Sequence, residues 1–177
     1  MNTDRILLVI DMQNDFVTGA LENEEAKKIV GDIEVSIKKN IEEGNSVLFT
    51  RDTHGDDYMD TQEGEFLPVP HCIKDTEGWE IIDQLNAYAN EENTFDKPSF
   101  GATNLPKWIE EKINGIPAEI ELCGVCTDIC VISNALILKA AFPETKVSVC
   151  GKLCAGVTPE SHANALEAMK PCQVIVK

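Results

Sequence analysis

Short apolar runs alternate along this chain with longer segments whose apolar residues recur at helical spacing. Arg5 to Ile10 is a continuous run of strand length, and from Glu24 to Ile41 the positions Ala26, Ile29, Val30, Ile33, Ile37 and Ile41 fall on one helical stripe. A strand is thus followed by an amphipathic helix. The alternation continues with a strand at Ser46–Thr50, a helix around Trp79–Ala89, a short strand at Asn93–Asp96 and a helix at Leu105–Asn114. Next come a strand at Glu119–Gly124, a helix from Thr127 to Ala141 and a strand at Lys146–Cys150. Thr158 as cap with Pro159 at the first helical position then opens another helix, and Gln173–Val176 closes the chain as a sixth strand. Six strands alternating with helices predict an α/β fold of three layers, α/β/α, in which a parallel sheet is covered on both faces.

The 177 residues carry no repeat, low-complexity tract or Gly/Ser linker, so residues 1–177 read as one domain. A chain of this length buries about 70% of its unfolded surface, enough for a real core. Charged residues make up 26% and apolar ones 43%, as in ordinary globular proteins. No apolar run approaches the roughly 20 residues of a membrane span, and the N-terminal run ends in an acid rather than a small-residue cleavage site, so no targeting segment is expected. A formal net charge of −16 argues against nucleic acid or an anionic membrane as partner, because phosphate binding needs Lys and Arg. Seven cysteines, an odd number with three crowded between positions 123 and 130, suit reduced thiols in a cytoplasmic protein better than a disulfide framework.

Open parallel sheets bind ligands beyond the carboxyl ends of their strands, which directs attention to Asp11, Asp52 with His54, Lys97 and Cys130. Taken singly, each has an ordinary reading: a loop carboxylate, a solvated lysine, a small buried thiol. Together at strand ends facing one crevice, an acid, an amine and a thiol can activate a nucleophile and shuttle a proton. In the stretch Cys123–Cys130 (CGVCTDIC), Thr127 as helix cap puts Cys130 at the third helical position, where free N–H groups and the helix dipole favour a thiolate. The long irregular stretch from Asp52 to Gly78 has the length of a functional loop. It holds Asp52, His54, Glu63 and His71, donors suited to zinc, iron or manganese. His162, in mid-helix, reads as a surface or packing residue. A rival metal or redox site at Cys123, Cys126 and Cys130 is disfavoured, since Cys123 lies within a strand and no second cysteine pair has finger-like spacing.

The segments LLVIDMQNDFVTGAL, TRDTH with LPVPHC, FDKPSF and GVCTDICV, in this order from residue 6 to 131, resemble the isochorismatase-like cysteine hydrolases, a family that includes the nicotinamidases. The resemblance implies a Rossmann-like sheet of order 3-2-1-4-5-6 and a triad of Cys130 as nucleophile, Asp11 as base and Lys97 as orienting cation. It implies an oxyanion hole from the backbone N–H groups of Cys126 and Cys130, with a non-proline cis peptide at Val125–Cys126. It further implies a divalent metal, zinc before iron or manganese, held by Asp52, His54 and His71, with Glu63 taken over Glu65 and Asp57 as the fourth ligand. Hydrolysis of a small amide through a thioester is the expected activity, in a homodimer or homotetramer. Phe16 and Phe100 are the candidate stacking partners for a flat substrate ring. Leu67 stands where metal-dependent relatives often carry an aromatic, so another amide, ureide or carbamoyl compound is the runner-up substrate, and a scaffold that kept only the fold is the reading outside enzymes.

Overall fold

The computed structural model describes residues 5–177, so the reading of the first residues as free of a targeting segment lies outside the described residues. Its core is a six-stranded sheet of β1 (Arg5–Ile10), β2 (Ser46–Asp52), β3 (Thr94–Lys97), β4 (Glu119–Val125), β5 (Lys146–Ala155) and β6 (Ile175–Val176). The strands pair in parallel in the order β3-β2-β1-β4-β5-β6, as expected. Ile6 to Ile10 of β1 are all buried, and continuous burial along a strand means that both faces of the sheet are covered.

Among the described residues, seven α-helices connect or flank the strands: α1 (Asn14–Val17), α2 (Glu24–Glu42), α3 (Gln62–Phe66), α4 (Asp83–Asn86), α5 (Leu105–Ile113), α6 (Ile132–Ala141) and α7 (Pro159–Met169). Asn23 caps α2 by accepting from the N–H groups of Glu25 and Ala26, and the helix buries Ala26, Ile29, Val30, Ile33 and Ile37. Ile41, the last position of the expected stripe, is half exposed instead. Thr158 and Ser161 form a reciprocal capping box ahead of Pro159 in α7. No helix among the described residues is long and apolar enough to cross a membrane.

Four sequence expectations are corrected by tertiary contacts. The helix expected at Trp79–Ala89 shrinks to α4, because Ile81 forms an antiparallel bridge with Gln13 and the Ile82 N–H donates to the Met12 carbonyl. Those apolar residues cover the end of β1 in extended form. The helix expected from Thr127 begins as a π-helical turn, Thr127–Val131, in which the Val131 N–H reaches the Cys126 carbonyl, and becomes α-helical only at Ile132. β5 runs on to Ala155, past a register shift opposite Leu122 and Gly124, while β6 is trimmed to two residues by a 3₁₀ turn at Lys170–Cys172. Finally, β2 and β3 extend through Asp52 and Lys97, so these side chains sit in the sheet itself rather than after it.

Gly124 makes the approach of β4 to β1 possible. Its φ is +112°, and a Cβ there would lie 2.1 Å from the Ile10 carbonyl oxygen, a backbone atom that cannot swing aside. Gly124→Ala should therefore destabilise the protein by about 3 kcal/mol or more, read from the urea unfolding midpoint. A loss below about 1 kcal/mol would show that the strands separate easily at this point.

Candidate active site

The carboxyl ends of β3, β2, β1 and β4, adjacent in the sheet, each deliver one group to a common point. Asp11 follows β1 with φ +49°, a left-handed conformation that turns its carboxyl away from the strand direction. Thr50 of β2 fixes it by donating its hydroxyl to Asp11 Oδ1 at 2.6 Å while the Asp11 N–H donates to the Thr50 carbonyl. Asp52 and Lys97 are register partners across β2 and β3. The turn after β4 brings Cys126 and Cys130, and the Val125–Cys126 peptide is cis.

Lys97 lies at the centre and has no solvent exposure. Its Nζ is 2.7 Å from Asp11 Oδ2, 3.0 Å from Asp52 Oδ1, 3.4 Å from Cys130 Sγ and 3.2 Å from the Ser99 carbonyl oxygen. The contact with Asp11 Oδ2 is an ion pair off the hydrogen-bonding direction, which leaves that buried oxygen without a hydrogen-bond partner among the described residues. Burial alone would make Lys97 give up its proton, but the negative charges of Asp11 and Asp52 raise its pKa well above the usual lysine value. Burial pushes Asp11 up, and Lys97 only partly offsets this. Asp52 is also penalised by burial, yet the hydrogen bond with His54 Nε2 and the charge of Lys97 hold it below the carboxylate range.

The Cys130 thiol is pushed well up by burial and by the neighbouring Asp11 charge, with Lys97 opposing. This corrects the expectation of a thiolate stabilised by a helix dipole, because Cys130 sits inside a buried π-turn rather than in the open first turn of an α-helix. Thr127 is not a side-chain cap either. Its buried hydroxyl meets His162 Nδ1 at 2.7 Å, so His162, expected at the surface or in packing, ties α7 to the start of this turn. The Cys126 N–H, just ahead of this turn, has no backbone hydrogen-bond partner among the described residues and is free to donate to an oxygen in the cavity.

Beside this group, ligand atoms of Asp52, His54, Glu63 and His71 all lie within 4.8 Å of one another. His54 Nε2 and His71 Nε2 are 3.0 Å and 3.6 Å from Asp52 Oδ2, and each is 3.7 Å from Glu63 Oε1. Four O and N donors on a metal at about 2.0–2.1 Å need mutual spacings of roughly 3.3 Å, so this set fits a zinc-like ion. The Nδ1–H of His71 donates to the Val69 carbonyl at 2.8 Å, which leaves the Nε2 lone pair facing the cluster. The rival cysteine set is not assembled: Cys123 is buried within β4, while Cys126 and Cys130 face the cavity.

That cavity has a volume of about 750 Å³ and is lined by Phe16, Phe100, Asp52, Glu63, His71, Cys126 and Cys130, with Leu67, Ile129 and Val157 among its apolar walls. Several supporting residues carried little signal in the sequence. Gln13, fully buried, clamps the Asp52 backbone by donating to its carbonyl and accepting from its N–H. Tyr58 packs edge-on against both His54 and His71, with ring centroids at 4.9 Å and 5.0 Å, and donates its hydroxyl to the Leu67 carbonyl. Only Gln13 stood near a recognisable motif, two residues after Asp11.

With this geometry in hand, the isochorismatase domain pattern matches residues 5–177. The chain belongs to the isochorismatase family. It is 32% identical over 178 residues to PncA, an uncharacterised isochorismatase family protein of Bacillus subtilis (strain 168), with 92% of each chain covered. Among solved structures, the nicotinamidase/pyrazinamidase PncA from Bacillus subtilis superposes with a TM-score of 0.83 at 29% identity, covering 98% of both chains. The pyrazinamidase of Pyrococcus horikoshii in complex with zinc gives a TM-score of 0.81 at 27% identity, again over 98% of both chains.

Two outcomes test the site of this isochorismatase-family chain. Replacing Lys97 by Met removes the cation between two buried carboxylates and should cost about 3–5 kcal/mol in urea unfolding. Zinc titrated into metal-stripped protein should bind at one equivalent by calorimetry, and Glu63→Gln should weaken that binding by about 10-fold or more. Unchanged affinity in Glu63→Gln would remove Glu63 from the ligand set.

Proposed function

We propose that this chain is a metal-assisted cysteine amidohydrolase that converts nicotinamide to nicotinate and ammonia. Its class, an isochorismatase-family amidohydrolase acting on carbon–nitrogen bonds of linear amides, rests on its family and on relatives named nicotinamidase or nicotinamidase/pyrazinamidase. The observation that carries the finer reading is Lys97 Nζ within 3.4 Å of Cys130 Sγ, Asp52 Oδ1 and Asp11 Oδ2, beside the four-donor cluster.

Cys130 is the nucleophile and Asp11 its base. Because burial raises the Cys130 thiol, proton transfer to the Asp11 carboxylate is favourable only as sulfur bonds to the amide carbon, so transfer and attack are coupled. Lys97 stabilises the negative charge as it moves from Asp11 to sulfur. The carbonyl oxygen, now an oxyanion, accepts from the N–H groups of Cys126 and Cys130. Asp11 returns the proton to the nitrogen, the C–N bond breaks and ammonia leaves. The thioester is opened by a water that Asp11 deprotonates, and Cys130 regains its proton as nicotinate departs. Asp52, His54, Glu63 and His71 would hold a zinc-like ion, which supplies a Lewis acid able to bind a ring nitrogen.

Phe16 and Phe100 offer stacking for an aromatic ring. Leu67, in place of an aromatic, favours as second reading another small amide, ureide or carbamoyl compound. Charge favours the uncharged amide over ureido acids, since Glu22, Glu24 and Glu25 line the cavity and no Arg or Lys does among the described residues. The test is an ammonia-release assay on zinc-loaded protein. Nicotinamide should be hydrolysed and a ureido acid should not, and Cys130→Ala should lower kcat by about 1,000-fold or more. Wild-type protein that releases ammonia only from the ureido acid would overturn nicotinamide in favour of the second reading.

A further inference from the structure

We propose that Asn134 is a positioning residue that fixes the aromatic wall of the cavity, Phe100, against the turn that carries Cys130. The assignment rests on the hydrolytic reading of the site above. Asn134 lies in α6, one turn beyond Cys130, and its side chain is wholly buried. Its Nδ2 donates to two carbonyls, that of Cys130 at 2.8 Å and that of Phe100 at 2.9 Å. Its Oδ1 accepts from the Ala102 N–H at 2.9 Å. One amide thereby joins two segments that share no secondary-structure ladder.

Both segments need such a joint. Phe100 lies between β3 and α5, outside any regular element, and the residue is 45% exposed, so packing alone holds it weakly. Its backbone must set where the ring stands. Lys97 secures the preceding residue by donating to the Ser99 carbonyl, and Asn134 secures Phe100 and Ala102. Gly101 brings the same segment directly onto α6, since a Cβ there would lie 2.6 Å from Ile137 Cδ1 and 3.2 Å from Ser133 Cβ. On the other side, the Cys130 carbonyl belongs to the π-turn that brings Cys130 to the cavity. A shift of either segment changes the distance between the substrate ring and the attacking sulfur, and misplacement by about 1 Å can cost 100-fold in rate.

Two variants separate this role from general support of the fold. Asn134→Ala releases both segments, and for nicotinamide we expect KM to rise about tenfold and kcat to fall about tenfold. Gly101→Val lifts only the Phe100 segment from α6 and leaves the bond from Asn134 to Cys130. It should raise KM about tenfold while the rate of Cys130 alkylation by iodoacetamide stays within about twofold of wild type. If KM in both variants stays within about twofold of wild type, the assignment is overturned, even where thermal midpoints fall, because lost stability alone does not move KM. Should Asn134→Ala fail to fold, Gly101→Val decides. Wild-type protein that releases no ammonia from nicotinamide overturns the hydrolytic reading and this assignment with it; an active wild type with unmoved variants overturns this assignment alone.

Discussion

A lysine ammonium without solvent contact organises this protein's cavity. Taking one charge out of water costs several kcal/mol even after relaxation, and Lys97 recovers it only because Asp11 and Asp52 converge on it within 3.0 Å. Each of those carboxylates in turn depends on the cation. The arrangement is therefore all or nothing: the strand ends must meet in register, or three buried charges are left unpaired. Parallel pairing of β3, β2 and β1 supplies that register, with Asp52 opposite Lys97 and Thr50 opposite Ile10, the residue before Asp11.

The Cys130 thiol reaches the same point by a different route. Gly124 lets β4 run against β1 where no side chain would fit, and the turn beyond it winds as a π-helix. An α-helical start would use the N–H groups of this turn sooner in its own ladder. The wider π-turn sends the Val131 N–H back to the Cys126 carbonyl, and the Cys126 N–H ahead of it has no backbone partner among the described residues. Side chains from elsewhere then hold it: His162 at Thr127 and Asn134 at Cys130.

The strands and the chemistry-bearing residues were legible because both leave local marks. A buried parallel strand must be a continuous apolar run, and Asp11, Lys97 and Cys130 stand at or just beyond the ends of such runs or of their following turns. Asp52, His54 and His71 were legible because histidines are scarce here and two of three occupy one loop. What escaped depends on partners distant in sequence. The apolar residues of Trp79–Ile82 have helical spacing, but Gln13 and Met12 recruit their backbone into extended pairing. Thr127 has the chemistry of a cap, but a histidine 35 residues later takes its hydroxyl. Tyr58 and Asn134 carried no mark at all, because a buried polar side chain announces itself only through the groups it satisfies.

Charge balance links the two halves of the site. With Asp11 ionised, Asp11, Asp52 and Glu63 bring three negative charges to a largely buried volume in which Lys97 supplies one positive charge, since the Cys130 thiol is held neutral. A surplus of negative charge in a poorly solvated site is costly, and a divalent cation among Asp52, His54, Glu63 and His71 would offset it. Asp52 makes this more than proximity, for its Oδ1 faces Lys97 while its Oδ2 faces the two histidines. Charge placed on one side of that carboxylate weakens its hold on the other, leaving more of the Lys97 ammonium for Asp11 and Cys130.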